Sequence, residues 1–185
     1  MRLLSRILIF MIGPVLICTC TSRETVLLRR ELRTFMSDTV VTPAGIQGVD
    51  TAGVFFYKDK SDQPKLIFYY DSASCSDCEI AHLTSIEWLY RKSSEDGTFE
   101  VLTIFSPKPE DYEVVRRLLD IHRFPYPVYI DFDGRFRKAN NFIPEDVRFH
   151  TFLTDSAGKI VYVGNPSMSE DLRTAFEKVL ESIAK

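Results

Sequence analysis

The sequence predicts one α/β domain: an open, mixed β-sheet with helices on both faces. Short β-rich runs alternate with segments of helical period, which calls for parallel strands joined by crossover helices. The last two β-rich runs lie close together around "DSAG" and read as a hairpin, so part of the sheet is antiparallel. A chain of 185 residues that is 45% hydrophobic and 26% charged suits a single globular unit.

Ahead of that pattern stands "MRLLSRILIFMIGPVLICTC", with Arg2 and Arg6 before an apolar run from Ile7 to Ile17. About eleven apolar residues are too few to cross a hydrocarbon core of ~30 Å as a helix. Residues 1–19 therefore read as an export signal. Its cysteine ending resembles a bacterial lipoprotein signal, which implies cleavage before Cys20 and acylation of that residue. Thr19 departs from the small residue such signals place before the cut; Cys18 is a second candidate, and a plain secretory peptide is the alternative. Two or three acyl chains would hold the protein on a membrane, where one binds only marginally. Losing Arg2 and Arg6 moves the net charge from −3 to −5. An acidic chain with no later basic run argues against a nucleic-acid partner.

Residues 20–50 read as a tether with a short helix. In "TSRETVLLRRELRTFM" the apolar positions 28, 32 and 35 share one helical face. "SDTVVTPAGIQGVD" carries Pro and Gly without a period and reads as a loop. Residues 51–185 form the domain. Ala52–Tyr57 is β-rich, and Leu66–Tyr70 is a near-continuous apolar run, as in a buried central strand. From Glu79 to Lys92, Ile80, Leu83, Ile86 and Leu89 are spaced for a helix, with Trp88 beside them. "FEVLTIF" is a second buried strand. Ser106 is a candidate cap for the helix carrying Val114, Val115, Leu118, Leu119 and His122. "YPVYIDFDGRF" is a strand with an Asp-Gly turn, and "FHTFLTDSAGKIVYVGNP" is the hairpin. Ser167 and Ser169 can cap a last helix striped by Leu172, Phe176, Val179 and Ile183.

Of four cysteines, Cys18 leaves with the signal and Cys20 is the acylated one, so Cys75 and Cys78, in "LIFYYDSASCSDCEI", are the thiols that remain. Three uses fit a Cys-x-x-Cys pair: redox exchange, a metal clip or a structural staple. A structural zinc site wants four ligands, and His82, His122 and His150 are scattered. A staple of about four residues contributes only roughly 2 kcal/mol by loop entropy. Placement at the end of a strand and the start of a helix favours redox exchange, because unpaired backbone N–H groups stabilise a thiolate there. Cys75 would attack a disulfide, and Cys78, expected to be the more buried, would resolve the mixed disulfide.

The same stretch resembles the strand–CxxC–helix of thioredoxin-like proteins. "FPYPVYIDFDGRF" with "HTFLTDSAGKIVYVGNP" is similar to the second half of TlpA-type, membrane-tethered thiol–disulfide oxidoreductases, and the likeness spans roughly residues 50–185. It implies a three-layer thioredoxin-like fold, no cofactor, and exchange with disulfides of exported proteins, recharged by a membrane electron donor. The location it implies is lipid-anchored, facing the periplasm or cell surface. Three positions depart from the family: Ser74 where an aromatic residue often precedes the first cysteine, Tyr69 where an acid is often buried, and Phe149 where a cis-proline precedes the hairpin. A cis bond before a residue other than proline costs about 3 kcal/mol, so the Arg148–Phe149 bond is expected to be trans. Phe149 and His150 are then the expected substrate-facing pair. An alternative use is a non-enzymatic module that binds a partner protein, or Cu(I) through Cys75, Cys78 and His150. His82 lies near the same helical face. Asp77 and Glu79 disfavour a thiolate beside them and so favour the disulfide, which predicts a reductant.

Overall fold

In the computed structural model, the described residues are 23–50, 52–59, 62–74 and 76–183. The leader, Cys18 and Cys20 lie outside them, as does Cys75. The chain divides into two compact units at residue 35. The first contains a helix over residues 23–35 (α1), on which Leu28 and Leu32 are half-buried and Phe35 is buried. That is the stripe expected from the sequence. No helix among the described residues is long and apolar enough to cross a membrane.

The second unit is built on a seven-stranded sheet. Its strands are β1 (Gln47–Asp50), β2 (Gly53–Phe56), β3 (Lys65–Tyr70), β4 (Glu100–Phe105), β5 (Val128–Ile130), β6 (Thr151–Thr154) and β7 (Ile160–Val163). Across the sheet they run β2-β1-β5-β4-β3-β6-β7. β3, β4 and β5 are parallel, while the hairpins β1–β2 and β6–β7 add antiparallel edges. The sheet begins earlier than the sequence reading expected. Residues 47–50, in a stretch without helical period and rich in Gly, form β1 and pair with β5. The preceding loop is also tied down: Asn140 donates to Val41 O at 2.7 Å and accepts from Val41 N at 2.8 Å.

β3 steps to β4 and β4 to β5 in the same direction, so right-handed crossovers place both connections on one face. That face carries α2 (Ser76–Ala81), α3 (Glu87–Asp96) and α4 (Tyr112–His122), and α6 (Glu170–Ile183) joins it. Leu66 and Phe68 of β3 point into this layer and share a core with Ile80, Leu83, Leu89, Val115 and Phe176. The alternate residue Tyr69 points the other way and meets Phe136 of α5 (Arg135–Ala139), with ring centroids 5.2 Å apart. Helices on both faces of a mixed sheet make the three layers that the sequence predicts.

Two local expectations change. The single helix expected from Glu79 to Lys92 is broken into α2, a 3₁₀ turn at Leu83–Ile86, and α3. Its apolar positions 80, 83, 86 and 89 repeat every three residues, which is the 3₁₀ period, and all four are buried. Ser106 does not cap α4, which starts at Tyr112 after a 3₁₀ turn of Pro109–Asp111. It is buried, and its hydroxyl donates to Asp131 instead. The last helix agrees with expectation: Ser169 Oγ accepts from Leu172 N at 3.2 Å. Ser167 accepts the Trp88 indole N–H at 2.9 Å, and Arg173 stacks over the same ring.

Candidate active site

β3 is paired on both sides, by β4 and β6, and is almost wholly buried. A strand so held is a rigid root for the loop and helix attached to its end. Tyr70, its last residue, stacks on Phe105 at 4.6 Å, and burial, helped by the Glu79 carboxylate, pushes its phenol well above the ordinary value. The chain then turns through Asp71–Ser74 and enters α2, which carries Cys78, with Asp77 and Glu79 in its first turn. Cys78 is disulfide-bonded. The residue is exposed; its burial relative to Cys75 lies outside the described residues. The exposure comes from the short helix: its inward position is taken by Ile80, and residues 77 and 78 face out. The helix runs only six residues, yet its first N–H groups still lack intrahelical partners.

The turn before β6 lies beside the same end of β3, since Tyr69 N donates to His150 O at 2.8 Å. Phe149 closes a 3₁₀ turn, Val147–Phe149, and is buried. No cis peptide bond occurs among the described residues, so Arg148–Phe149 is trans as expected. Asp146 caps this turn by accepting Arg148 N, and it also accepts the Arg148 guanidinium at 2.6 Å. Those hydrogen bonds hold its carboxyl below the ordinary range. His150 is 4% exposed, and its ring meets Tyr69 edge-on at 5.3 Å. Its Nε2 lies 2.8 Å from Pro144 O. A carbonyl only accepts, so Nε2 carries the proton and the lone pair falls on Nδ1, which has no partner among the described residues. The imidazole thus clamps the loop that leads into β6. Both expected substrate-facing side chains point inward, and the turn presents Val147 and Arg148 outward.

The histidines do not converge. His82 is exposed at the end of α2, His122 is exposed on α4, and His150 is buried. Among the described residues, no group of three His, Cys, Asp or Glu is placed to hold a metal ion.

Sequence reasoning missed a cleft of about 730 Å³ at the C-terminal ends of the parallel strands. The loop Asp71–Ala73 forms one wall, and Pro107–Pro109 and Asp131–Gly134 form others. Its floor is a buried polar chain. Ser106 Oγ donates to Asp131 at 3.1 Å, and Tyr69 lines the same cleft. Asp131 also accepts Arg135 N and Phe136 N, each at 2.8 Å, and so fixes the start of α5. Burial raises the Tyr69 phenol above its ordinary value. Asp131 and Gly134 in "DFDG" are the sequence signal that could have shown a capped turn there.

No family model matches the sequence, and no curated protein resembles it closely enough to count as a match. Solved structures do share the fold. A Chlorobium tepidum protein named for thiol:disulfide interchange (DsbE) aligns at TM-score 0.54 and 17% identity, over 78% of this chain and 96% of that one. The thioredoxin domain of a Bacteroides vulgatus thiol-disulfide oxidoreductase aligns at 0.51 and 17%, over 78% and 96%. An uncharacterized conserved protein of Geobacillus kaustophilus aligns at 0.54 and 17%, over 79% and 84%. The fold of this chain is thioredoxin-like.

Proposed function

We propose that this protein is an exported, lipid-anchored thiol–disulfide oxidoreductase that works as a reductase, with Cys75 as nucleophile and Cys78 as the resolving thiol. The observation that carries the reading is the disulfide at Cys78, exposed at the start of α2 on a thioredoxin-like sheet. Cys75, three residues before Cys78, is its partner in this reading, because the two are the thiols left once Cys18 is removed and Cys20 is acylated. The Cys75 thiolate attacks a substrate disulfide and expels one substrate thiolate, which takes a proton from water. Cys78, deprotonated in turn, attacks the Cys75 sulfur and releases the second substrate thiol. The protein is left oxidised and the substrate reduced, and a membrane electron donor returns the two electrons. Phe149 and His150 shape the substrate edge from beneath: His150 holds the loop through Pro144, and the backbone of residues 147–149 meets the substrate polypeptide. Cys20 carries the lipid, and the membrane faces the periplasm or the cell surface.

The direction of exchange is set by charge. Asp77 and Glu79 flank Cys78 within the first turn of α2 and disfavour thiolates there. A destabilised thiolate shifts the equilibrium towards the disulfide, which makes the dithiol a reductant. Equilibration of the purified protein with glutathione should give a potential below about −150 mV. A more positive value would mark an oxidant and overturn the assignment. The competing use, Cu(I) held by Cys75, Cys78 and His150, would have to employ Nδ1, because Nε2 is committed to Pro144. Stoichiometric Cu(I) binding without insulin reduction would decide for it.

A further inference from the structure

α1 separates its charges around the helix axis. At 3.6 residues per turn, Arg23, Arg30, Val26, Arg33 and Arg29 follow one another around an arc of roughly 120°. Leu28, Leu32 and Phe35, the residues withdrawn from solvent, lie on the opposite side, flanked by Glu24 and Glu31. All four arginines are exposed. Neither glutamate stands three or four residues from any of them, so no pair along the helix neutralises them. Val26, in the middle of the arc, is 63% exposed, and Leu27, beyond Arg23, is 57% exposed. Residues 23–35 carry a net +2, four Arg against two Glu, while residues 36–185 carry −7. Arginines around an exposed aliphatic side chain suit a surface of anionic lipid. Guanidinium groups bond phosphates, and the apolar residue enters the headgroup layer.

We propose that this outward face of α1 lies on an anionic lipid surface, with its arginines at the phosphates and Val26 in the headgroup layer. The inference deepens the membrane anchoring proposed above and rests on it. With the anchor at Cys20, Arg23 is three residues away. An extended chain of that length reaches only about 10 Å. This is close to one Debye length at physiological salt, so the guanidinium groups feel the surface charge. The −7 carried by residues 36–185 is repelled by the same surface, so the attraction belongs to α1. Acyl chains supply the hold, and the basic face supplies an orientation, laying the tether along the surface. The nearness of the bilayer favours lipid over an acidic protein as the occupant.

The test uses the chain from residue 20 onward with Cys20 left unacylated, so that no acyl chain carries it to lipid. Co-sedimentation is measured with vesicles of phosphatidylcholine alone and with vesicles of equal parts phosphatidylcholine and phosphatidylglycerol. The chain should bind the anionic vesicles in preference to the neutral ones, and added salt should weaken that binding. Arg30→Gln combined with Arg33→Gln should lower the partition coefficient roughly 30-fold, about fivefold for each charge. Glutamine has nearly the helix propensity of arginine, so α1 keeps its shape. Arg116→Gln combined with Arg117→Gln makes the same change in net charge on the exposed side of α4 and should leave binding almost unchanged. Equal binding to both kinds of vesicle, or equal losses in the two double variants, would overturn the assignment. Binding to neither would also overturn it and leave the face to an acidic protein. The anchor fails separately: a membrane-extracted protein whose mass shows no lipid on Cys20 would refute the anchoring, and anionic binding by the unacylated chain would still stand.

Discussion

Replacing Cys75 with serine should reduce insulin turnover to the uncatalysed background while leaving the fold intact. The substitution exchanges sulfur for oxygen at one atom. In the proposed mechanism it removes the nucleophile, and with it the disulfide to Cys78. The stability lost is small, because a ring of about four residues restrains the unfolded chain by only roughly 2 kcal/mol. Activity and stability are thereby separated: turnover disappears, and the urea midpoint moves little. Cys78→Ser should behave differently. Its Cys75 can still open a substrate disulfide, but nothing within the chain releases the adduct, so at most one equivalent reacts. A Cys75→Ser protein that still reduced insulin would place the chemistry elsewhere.

The second large effect is structural and lies under the cleft. Asp131 is 2% exposed, and its carboxylate accepts from Ser106 Oγ, Arg135 N and Phe136 N. Asp131→Ala leaves all three donors without that acceptor, in a place where water enters poorly. An unsatisfied buried group costs roughly 1–3 kcal/mol. A net loss of about 3 kcal/mol is expected. For a chain of this size that is a fall in melting temperature of roughly 6–12 °C. Asp131→Asn should lose about half as much, since one oxygen remains to accept. Urea denaturation measures both; a loss under about 1 kcal/mol for the alanine variant would show that the start of α5 does not depend on this carboxylate.

Most of the sheet was legible in the sequence because its central strands are buried on both faces. Leu66–Tyr70 and "FEVLTIF" are apolar runs of strand length, and β3 and β4 fall on them. The β6–β7 hairpin was legible from its turn. β1 was not: Gln47–Asp50 has one apolar residue, Val49, and is a strand because β2 and β5 hold it from either side. Pairing partners distant in sequence leave no local pattern. The broken helix after Cys78 was misread because a repeat of three over four positions resembles one face of an α-helix.

At the proposed site, the sequence named the cysteine pair but not the side chains that order the loop before it. Asp71 looked like a loop residue, and only the bonds to Ala73 and Ser74 reveal its grip on the turn. The exposure of Cys78 had no sequence signal, because the inward position of α2 belongs to Ile80. Phe149 before the hairpin was visible, whereas the His150–Pro144 clamp depends on a contact across six residues that no spacing rule announces.

The central claim is that Cys75 attacks and Cys78 resolves. Its most direct measurement is to mix the reduced Cys78→Ser protein with insulin, quench with acid, and map the adduct by mass spectrometry. One substrate chain disulfide-linked at Cys75 is the predicted result. Absence of an adduct at Cys75, under conditions where the wild-type protein reduces insulin, would contradict the account.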